Sequence, residues 1–538
     1  MHLESHESSV IHSPFGDKVE LRLVSAENHQ YFLKAVFWIL AGMFLACCFQ
    51  VQVLLPVWLT IVILAAVTIL SLTCMRVSRL SLLPRFYVLL YVMPFTSTLG
   101  YLFDDQYVFW QSPSATPLAS DLRIINTMVT IGLVGLCGLL AGIELSAMFC
   151  KRPSVLRKHK KKKQVARTLS FLQFIVLLLS AMALSWLSAP SQTVFTAAYA
   201  TAAAGSTLAR QANFNSAFLV SYILLILLYL DAERSQNAGQ RKSWKTVAVY
   251  AALLWIIVVL QVLRGNRDSS GLIVALAILI ITKPSFSLDW FRERIQQNKK
   301  IVRTALVLAG IAIVYIGMGS WRYRAADSGH WNFAEVRETF LHGLQMNTWS
   351  SVGLNNLGLA AEYDAGTIEY YYGKTYVDYC LSLPPGLISR NIGYVRPLEH
   401  SSGPNWWYTG LSTGGMQPAI VPFKNFGIMG TLCVLIVYGF YIGRCECRAI
   451  GHNFYARFSY GATAVAGFLW FWYGDMNIIR TVMITFLLTT AYRLCIDNAP
   501  HIKDRFHSIR KPNSTLSSRY GNDRLKSDVK SITGKQVA

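Results

Sequence analysis

Along the chain, uninterrupted apolar runs of roughly 18 to 22 residues alternate with short polar segments, and each run is long enough to cross a hydrocarbon core of about 30 Å. Twelve such runs centre on residues 32–50, 53–74, 86–102, 124–149, 169–188, 216–231, 246–263, 271–282, 302–320, 418–442, 459–474 and 481–496. The eighth is short, as a tilted or broken span would be. The pattern predicts an all-α, polytopic membrane protein. Residues 1–30 are polar, so the first span is expected to be retained rather than cleaved as a signal. The segment from 497 onward is Ser-, Lys- and Arg-rich, the composition of a disordered basic tail.

Composition agrees. Of 538 residues, 53% are apolar and only 14% charged, where a soluble protein carries about 25% charged residues. The net charge of +22 invites a nucleic-acid reading, but the placement of the basic residues argues against it. With a cytosolic N-terminus, 38 of the 50 lysines and arginines fall in the N-terminal segment, in alternate loops and in the tail. This is the positive-inside pattern of a membrane topology, and cationic loops also suit an anionic leaflet. The run Lys160-Lys161-Lys162-Lys163 fixes the loop at 150–168 on the cytosolic side. Both termini are therefore expected in the cytosol.

The same frame leaves one large segment, 321–417, on the outer side between spans nine and ten. It has mixed charge, turns such as Pro384-Pro385-Gly386 and a short amphipathic stretch at 333–344. A loop of this length on a tightly looped bundle is usually functional. No internal repeat is evident. The ten cysteines suggest no disulfide framework: Cys150, Cys445, Cys447 and Cys495 are expected on the reducing side, and Cys380 alone on the other. Cys445-x-Cys447 is too small a ligand set for zinc.

Twelve basic residues face outward against the topology rule: Arg123, Arg210, Arg264, Arg267, Arg322, Arg324, Arg337, Arg390, Arg396, Arg480, Lys374 and Lys424. Arg264 and Arg267 occupy a hairpin of only about seven residues, Arg322 and Arg324 follow span nine, Arg390 and Arg396 bracket a loop turn, and Arg480 stands at the lip of span twelve. Guanidinium groups grip phosphate oxygens bidentately and stay charged at any relevant pH, so a cluster of them suits a pyrophosphate or phospholipid head group. Snorkelling to lipid phosphate, or pairing with Asp268, Glu399 or Asp475, is the bland alternative. The loop is also rich in rings, among them Tyr370, Tyr371, Tyr372, Tyr376, Tyr379, Tyr394, Trp406, Trp407 and Tyr408, which suit stacking on sugar faces or a packed loop core. Outward acids and bases are Asp268, His330, His342, Glu362, Asp364, Glu369, Asp378, Glu399, His400 and Asp475. Glu399-His400 lies three residues after Arg396, so a base and an anion binder can share one site. No Walker loop, HExxH or GxSxG motif occurs, which argues against nucleotide-driven work and against zinc or serine hydrolysis.

Two stretches carry a family resemblance. Leu263-Arg264-Gly265-Asn266-Arg267 ends an apolar span in an Arg/Gly turn. Gly414-Gly415-Met416-Gln417-Pro418 leads into Phe423-Lys424-Asn425-Phe426-Gly427 at the start of the span after the loop. Together with the twelve-span layout, they resemble the polymerase side of the O-antigen polymerase and ligase superfamily. The resemblance implies a GT-C-like integral-membrane glycosyltransferase of the bacterial inner membrane, with its active site facing the periplasm. It would polymerise undecaprenyl-pyrophosphate-linked oligosaccharide repeat units into a surface polysaccharide, O-antigen or exopolysaccharide, without nucleotide sugar, metal or cofactor. Arg264 and Arg267 carry over as the pyrophosphate clamp. The residues themselves suggest Arg322, Arg324, Arg390, Arg396, Arg480, Tyr372, Trp406 and Trp407 for substrate binding, and His400 or Glu399 as the base. Expected partners are the lipid-linked oligosaccharide, membrane lipids and a chain-length regulator. The rivals are an O-antigen ligase, for which an outer-loop histidine is expected, and a transporter or flippase of lipid-linked sugars.

Overall fold

The computed structural model describes residues 26–53, 55–75, 81–102, 120–150, 169–188, 208–237, 249–250, 252–253, 269–282, 357–381, 418–449, 453–473 and 475–497. All regular structure among them is helical. The helices are α1 (Ala26–Gln50), α2 (Val57–Cys74), α3 (Leu82–Val92, running on as a 3-10 helix over Met93–Leu102), α4 (Leu122–Met148), α5 (Phe171–Ser188), α6 (Leu208–Asn237), α7 (Ser269–Ile281), α8 (Lys374–Leu381), α9 (Ile420–Ala449), α10 (Phe454–Tyr473) and α11 (Met476–Asp497). Ten of the twelve expected spans coincide with one of these. Those at 246–263 and 302–320 lie outside the described residues, apart from the helical pairs 249–250 and 252–253. Among the described residues, five helices are long and apolar enough to cross a membrane: His29–Gln50, Val57–Cys74, Leu122–Met148, Ile420–Ala449 and Asn477–Ile496. Large apolar side chains such as Phe37, Leu40, Phe44, Phe486 and Leu487 are exposed, while polar ones such as Asn126, Glu233, Asn425 and Arg457 are buried. That is the reverse of a water-soluble surface and fits a lipid-facing one.

At the centre stands α4, buried along almost its whole length. Asp121 caps its first turn by accepting from the backbone N–H groups of Arg123 and Ile124. Its neighbour α9 runs parallel to it, and glycines line the seam. A Cβ on Gly138 would stand 2.5 Å from the Leu432 carbonyl oxygen, and one on Gly142 or Gly439 would collide with the facing helix backbone. Gly138 and Gly142, like Gly439 and Gly443, are spaced four apart, the small-xxx-small arrangement that lets two membrane helices approach closely. α1 packs on α4 in the opposite direction, and Gly42 faces Cys137 and Leu432. On the other flank of α4, Thr60 of α2 donates to Asn126 Oδ1 at 2.9 Å.

The contacts also fix which helix ends lie together. Phe49 of α1 stacks on Tyr363, and Arg123 of α4 pairs with Asp364, so both helices meet residues 357–381 at what is called here the loop-bearing end. At the opposite end, Arg457 of α10 binds Glu233 of α6 at 2.6 Å and the Leu279 carbonyl of α7 at 3.2 Å. There, too, Glu446 of α9 accepts from the Leu83 N–H and Asp231 from the Leu169 N–H. From α1 to α3, the chain runs alternately toward and away from the loop-bearing end. From Thr490 the chain belongs to a second unit, described only as far as Asp497.

One cysteine expectation is overturned. Cys150 and Cys447 form a disulfide across 297 residues, with Cα atoms 5.3 Å apart. The reason is the parallel seam: α4 and α9 end side by side, and Arg444 further ties them by donating to the Phe149 carbonyl at 2.7 Å. Among the described residues no group of His, Cys, Asp or Glu is arranged to hold a metal.

The seam predicts a steep response to bulk. Gly439→Leu should cost about 1–3 kcal/mol by overpacking, read as a lowered thermal midpoint in detergent. Val437→Leu, on the exposed face of the same helix, should stay within about 0.5 kcal/mol of the parent.

Candidate functional site at the loop-bearing end

The stretch Phe423–Gly427 at the head of α9 organises this end. Gly427 interrupts the helix at φ 68°, ψ −164°, a backbone region that is essentially confined to glycine. The break frees carbonyls that a continuous helix would use. Lys424 O accepts from Tyr371 N–H at 2.9 Å, and Asn425 O from Tyr372 N–H at 3.0 Å. Asn425, fully buried, completes the dock with its side chain. Oδ1 accepts from the N–H groups of Gly373 (3.1 Å) and Thr375 (3.4 Å), while Nδ2 donates to Thr375 Oγ1 (2.9 Å) and the Val421 carbonyl (2.8 Å). Tyr372 is thereby held at a positive φ of 48°, uncommon for a bulky residue, and is 80% exposed. Phe426 stacks on Tyr376 with ring centres 5.7 Å apart.

Charge secures the preceding helical stretch, 357–364. Lys424, buried, binds Glu362 at 2.7 Å and lies over the Tyr371 ring at 5.6 Å. Burial pushes the Glu362 carboxyl above its ordinary range, and Lys424 opposes that shift. Arg123 pairs with Asp364 at 2.7 Å, with the arginine largely exposed. Two of the outward cations are thus engaged with acids, the bland alternative for those positions.

Beside this dock, Asp475 connects α10 to α11 and is fully buried. Tyr376 Oη donates to its Oδ2 at 2.6 Å and Trp470 Nε1 to its Oδ1 at 2.9 Å, and the Tyr438 hydroxyl bonds the carboxylate as well. Burial raises the carboxyl to about 6, against the three hydrogen bonds, which favour the charged form. The Tyr376 phenol is raised well above its ordinary value, first by burial and then by the Asp475 charge. Arg480, one and a half turns further along α11, is buried at 4% exposure.

Of the residues the sequence singled out for a site, Arg480 and Tyr372 are described, and both stand at this end. His400, Glu399, Arg264, Arg267, Arg322, Arg324, Arg390, Arg396, Trp406 and Trp407 lie outside the described residues. Tyr376, Tyr438 and Trp470 were not grouped by sequence reasoning. The available signal was an aspartate directly after the aromatic run Trp470–Tyr473, between two apolar spans. No family model, curated protein or solved structure matches the chain.

Two outcomes follow. Gly427→Ala should cost about 1–3 kcal/mol and speed amide hydrogen exchange at 371–375, measured by mass spectrometry. For Asp475, a pKa raised on folding means that stability is greatest below its ordinary value of 3.8 and is lost as pH rises through about 6. Between pH 4 and 7 this group should therefore remove up to about 3 kcal/mol, at 1.36 kcal/mol per unit. Asp475→Asn should flatten that part of the stability–pH curve.

Proposed function

We propose that the protein is an integral-membrane glycosyltransferase that joins polyprenyl-pyrophosphate-linked oligosaccharide repeat units into a surface polysaccharide, with the loop-bearing end facing the periplasm. The observation that carries this proposal is Arg480. A guanidinium buried at the end of an apolar helix opposes both lipid solvation and the positive-inside rule. It sits at the end where the aromatic segment 370–379 is docked. At 4% exposure Arg480 lends positive potential to a departing diphosphate at that end from beneath the surface, and an exposed residue such as Tyr372 offers a ring for sugar stacking. The resemblance in sequence adds Arg264 and Arg267 as the clamp, and the residues themselves suggest Arg322, Arg324, Arg390 and Arg396 as further contacts and Trp406 and Trp407 as ring platforms.

In this reaction the acceptor hydroxyl attacks the anomeric carbon of the lipid-linked donor, and the C–O bond to pyrophosphate breaks with its electron pair leaving on the phosphate. Protein cations stabilise that charge, so the chemistry asks for no nucleotide.

The test is reconstitution of the full chain in lipid nanodiscs with an undecaprenyl-pyrophosphate-linked repeat unit. Glycan ladders on the lipid carrier are expected, and a folded preparation that forms none with its cognate unit defeats the proposal. Arg480→Ala should lower kcat, and Arg480→Lys, which keeps the positive charge, should stay closer to the parent. Ladders that form on the carrier but are moved to a separate lipid acceptor would instead mark a ligase.

A further inference from the structure

The end of the bundle away from the dock carries the Cys150–Cys447 bond, and the bond stands in conflict with its surroundings. Lys151 and Arg152 follow Cys150 directly and Lys160-Lys161-Lys162-Lys163 lies in the same loop, so the positive-inside pattern puts this end in the cytosol. A disulfide in a reducing compartment is ordinarily transient, catalytic or redox-sensing rather than a permanent brace. We propose that Cys150 and Cys447 form a reversible redox clasp on the α4–α9 seam, open as two thiols in the resting cytosol and closed under oxidising conditions. The clasp is independent of the reaction performed at the loop-bearing end.

The two helix ends are held together without the bond. The glycine seam brings α4 and α9 into close contact, and Arg444 donates to the Phe149 carbonyl at 2.7 Å, one residue before Cys150, while lying 6.0 Å over the Phe149 ring. Opening the bond therefore leaves the cysteines facing each other with Cα atoms 5.3 Å apart, within the span a disulfide requires. The open state has a partner of its own. The Cys447 sulfur lies 3.8 Å from the Ser146 carbonyl oxygen, an acceptor that a thiol can use and a disulfide sulfur cannot. Both cysteines are only half-buried, so a small molecule can reach them. Cys445, two residues away, is buried against Ser459 and Thr463 and takes no part. Arg444 stands one helical turn before Cys447 and Arg448 directly after it, and cationic neighbours favour the thiolate that exchange needs. Once closed, the bond fixes the axial register of α9 against α4, which packing alone leaves open to small sliding.

Closure proceeds by exchange with a small-molecule disulfide, of which glutathione disulfide is the probe chosen here. One cysteine thiolate attacks a glutathione sulfur, breaks its S–S bond and releases the first glutathione. The second cysteine thiolate attacks the mixed disulfide, forms the Cys150–Cys447 bond and releases the second. Two protein thiols are oxidised, one glutathione disulfide is reduced to two thiols, and the two protons pass to the departing thiolates. Opening is the reverse, with two glutathione molecules as the reductant.

The experiment is a redox cycle on the full chain in sealed membrane vesicles. Differential alkylation and peptide mapping by mass spectrometry read Cys150 and Cys447 apart from the eight free cysteines. Glutathione should open the bond in the folded protein, and glutathione disulfide should restore it. A membrane-impermeant maleimide should reach the reduced pair in inside-out vesicles and not in right-side-out ones. Closure should raise the thermal midpoint of the wild type and leave that of Cys150→Ser and Cys447→Ser unmoved. A bond that resists glutathione until the chain unfolds is a permanent brace and overturns the clasp. So does a reduced pair that glutathione disulfide converts only to glutathione adducts, and so does labelling of the pair from the outer face alone. If either serine variant fails to fold, the wild-type cycle and the sidedness of labelling decide the question.

Discussion

The close approach of α4 and α9 is the constraint on which the remainder depends. Lipid tails are as apolar as the helix surfaces, so no hydrophobic gain drives helices together in a bilayer, and association rests on packing and on polar contacts. Gly138, Gly142, Gly439 and Gly443 remove side-chain bulk where the two backbones face each other. The gain is dispersion contact over a long parallel seam, individually small and collectively large. With the register set there, both ends of the seam are defined. At one end Cys150 meets Cys447. At the other, the head of α9 is held firmly enough to carry a break in its own helix.

That break converts rigidity into a docking platform. A continuous helix satisfies its own carbonyls and offers a passing chain little to bind. By adopting a glycine-only conformation at Gly427, α9 turns the carbonyls of Lys424 and Asn425 toward residues 371 and 372. Asn425 then uses both halves of its amide on the same segment and on its own helix. Each hydrogen bond contributes roughly 0.5–1.5 kcal/mol net, and leaving any of these buried groups unmade would cost more. The dock is therefore specific as well as stable, and it tolerates the left-handed Tyr372 because several bonds over-determine that backbone.

Much of the membrane architecture was legible in the chain because it depends on local composition. The runs at 32–50, 124–149, 418–442 and 481–496 contain helices of spanning length, and alternating chain direction appears in the contacts of Arg123 with Asp364 and of Arg457 with Glu233. The boundaries were less legible. α1 begins at Ala26 and α6 extends over Leu208–Asn237, since polar end turns carry no hydropathy signal. The disulfide was missed because redox compartment is a statement about surroundings, whereas the bridge follows from two helix ends meeting 297 residues apart. In the candidate site the Asn-Phe-Gly stretch was legible as a motif, but its work was not: nothing local says that Asn425 holds residues 373 and 375.

Each end of the bundle holds a buried ion pair, Lys424 with Glu362 at the loop-bearing end and Arg457 with Glu233 at the other, and Asp475 differs from both. At the far end Glu233 is matched by Arg457, while Asp231 and Glu446 accept backbone N–H groups. These contacts tie helices together. A buried pair of this sort is costly to break and offers nothing to a reactant. Among the described residues Asp475 has no such cationic match, and its oxygens accept from two phenols and an indole. If helix cohesion were its only role, an apolar residue there would avoid the desolvation that raises its pKa to about 6, and Trp470, Tyr438 and Tyr376 would still pack. A carboxylate kept at that cost orients Tyr376, Tyr438 and Trp470 on one point, which apolar packing alone would not do.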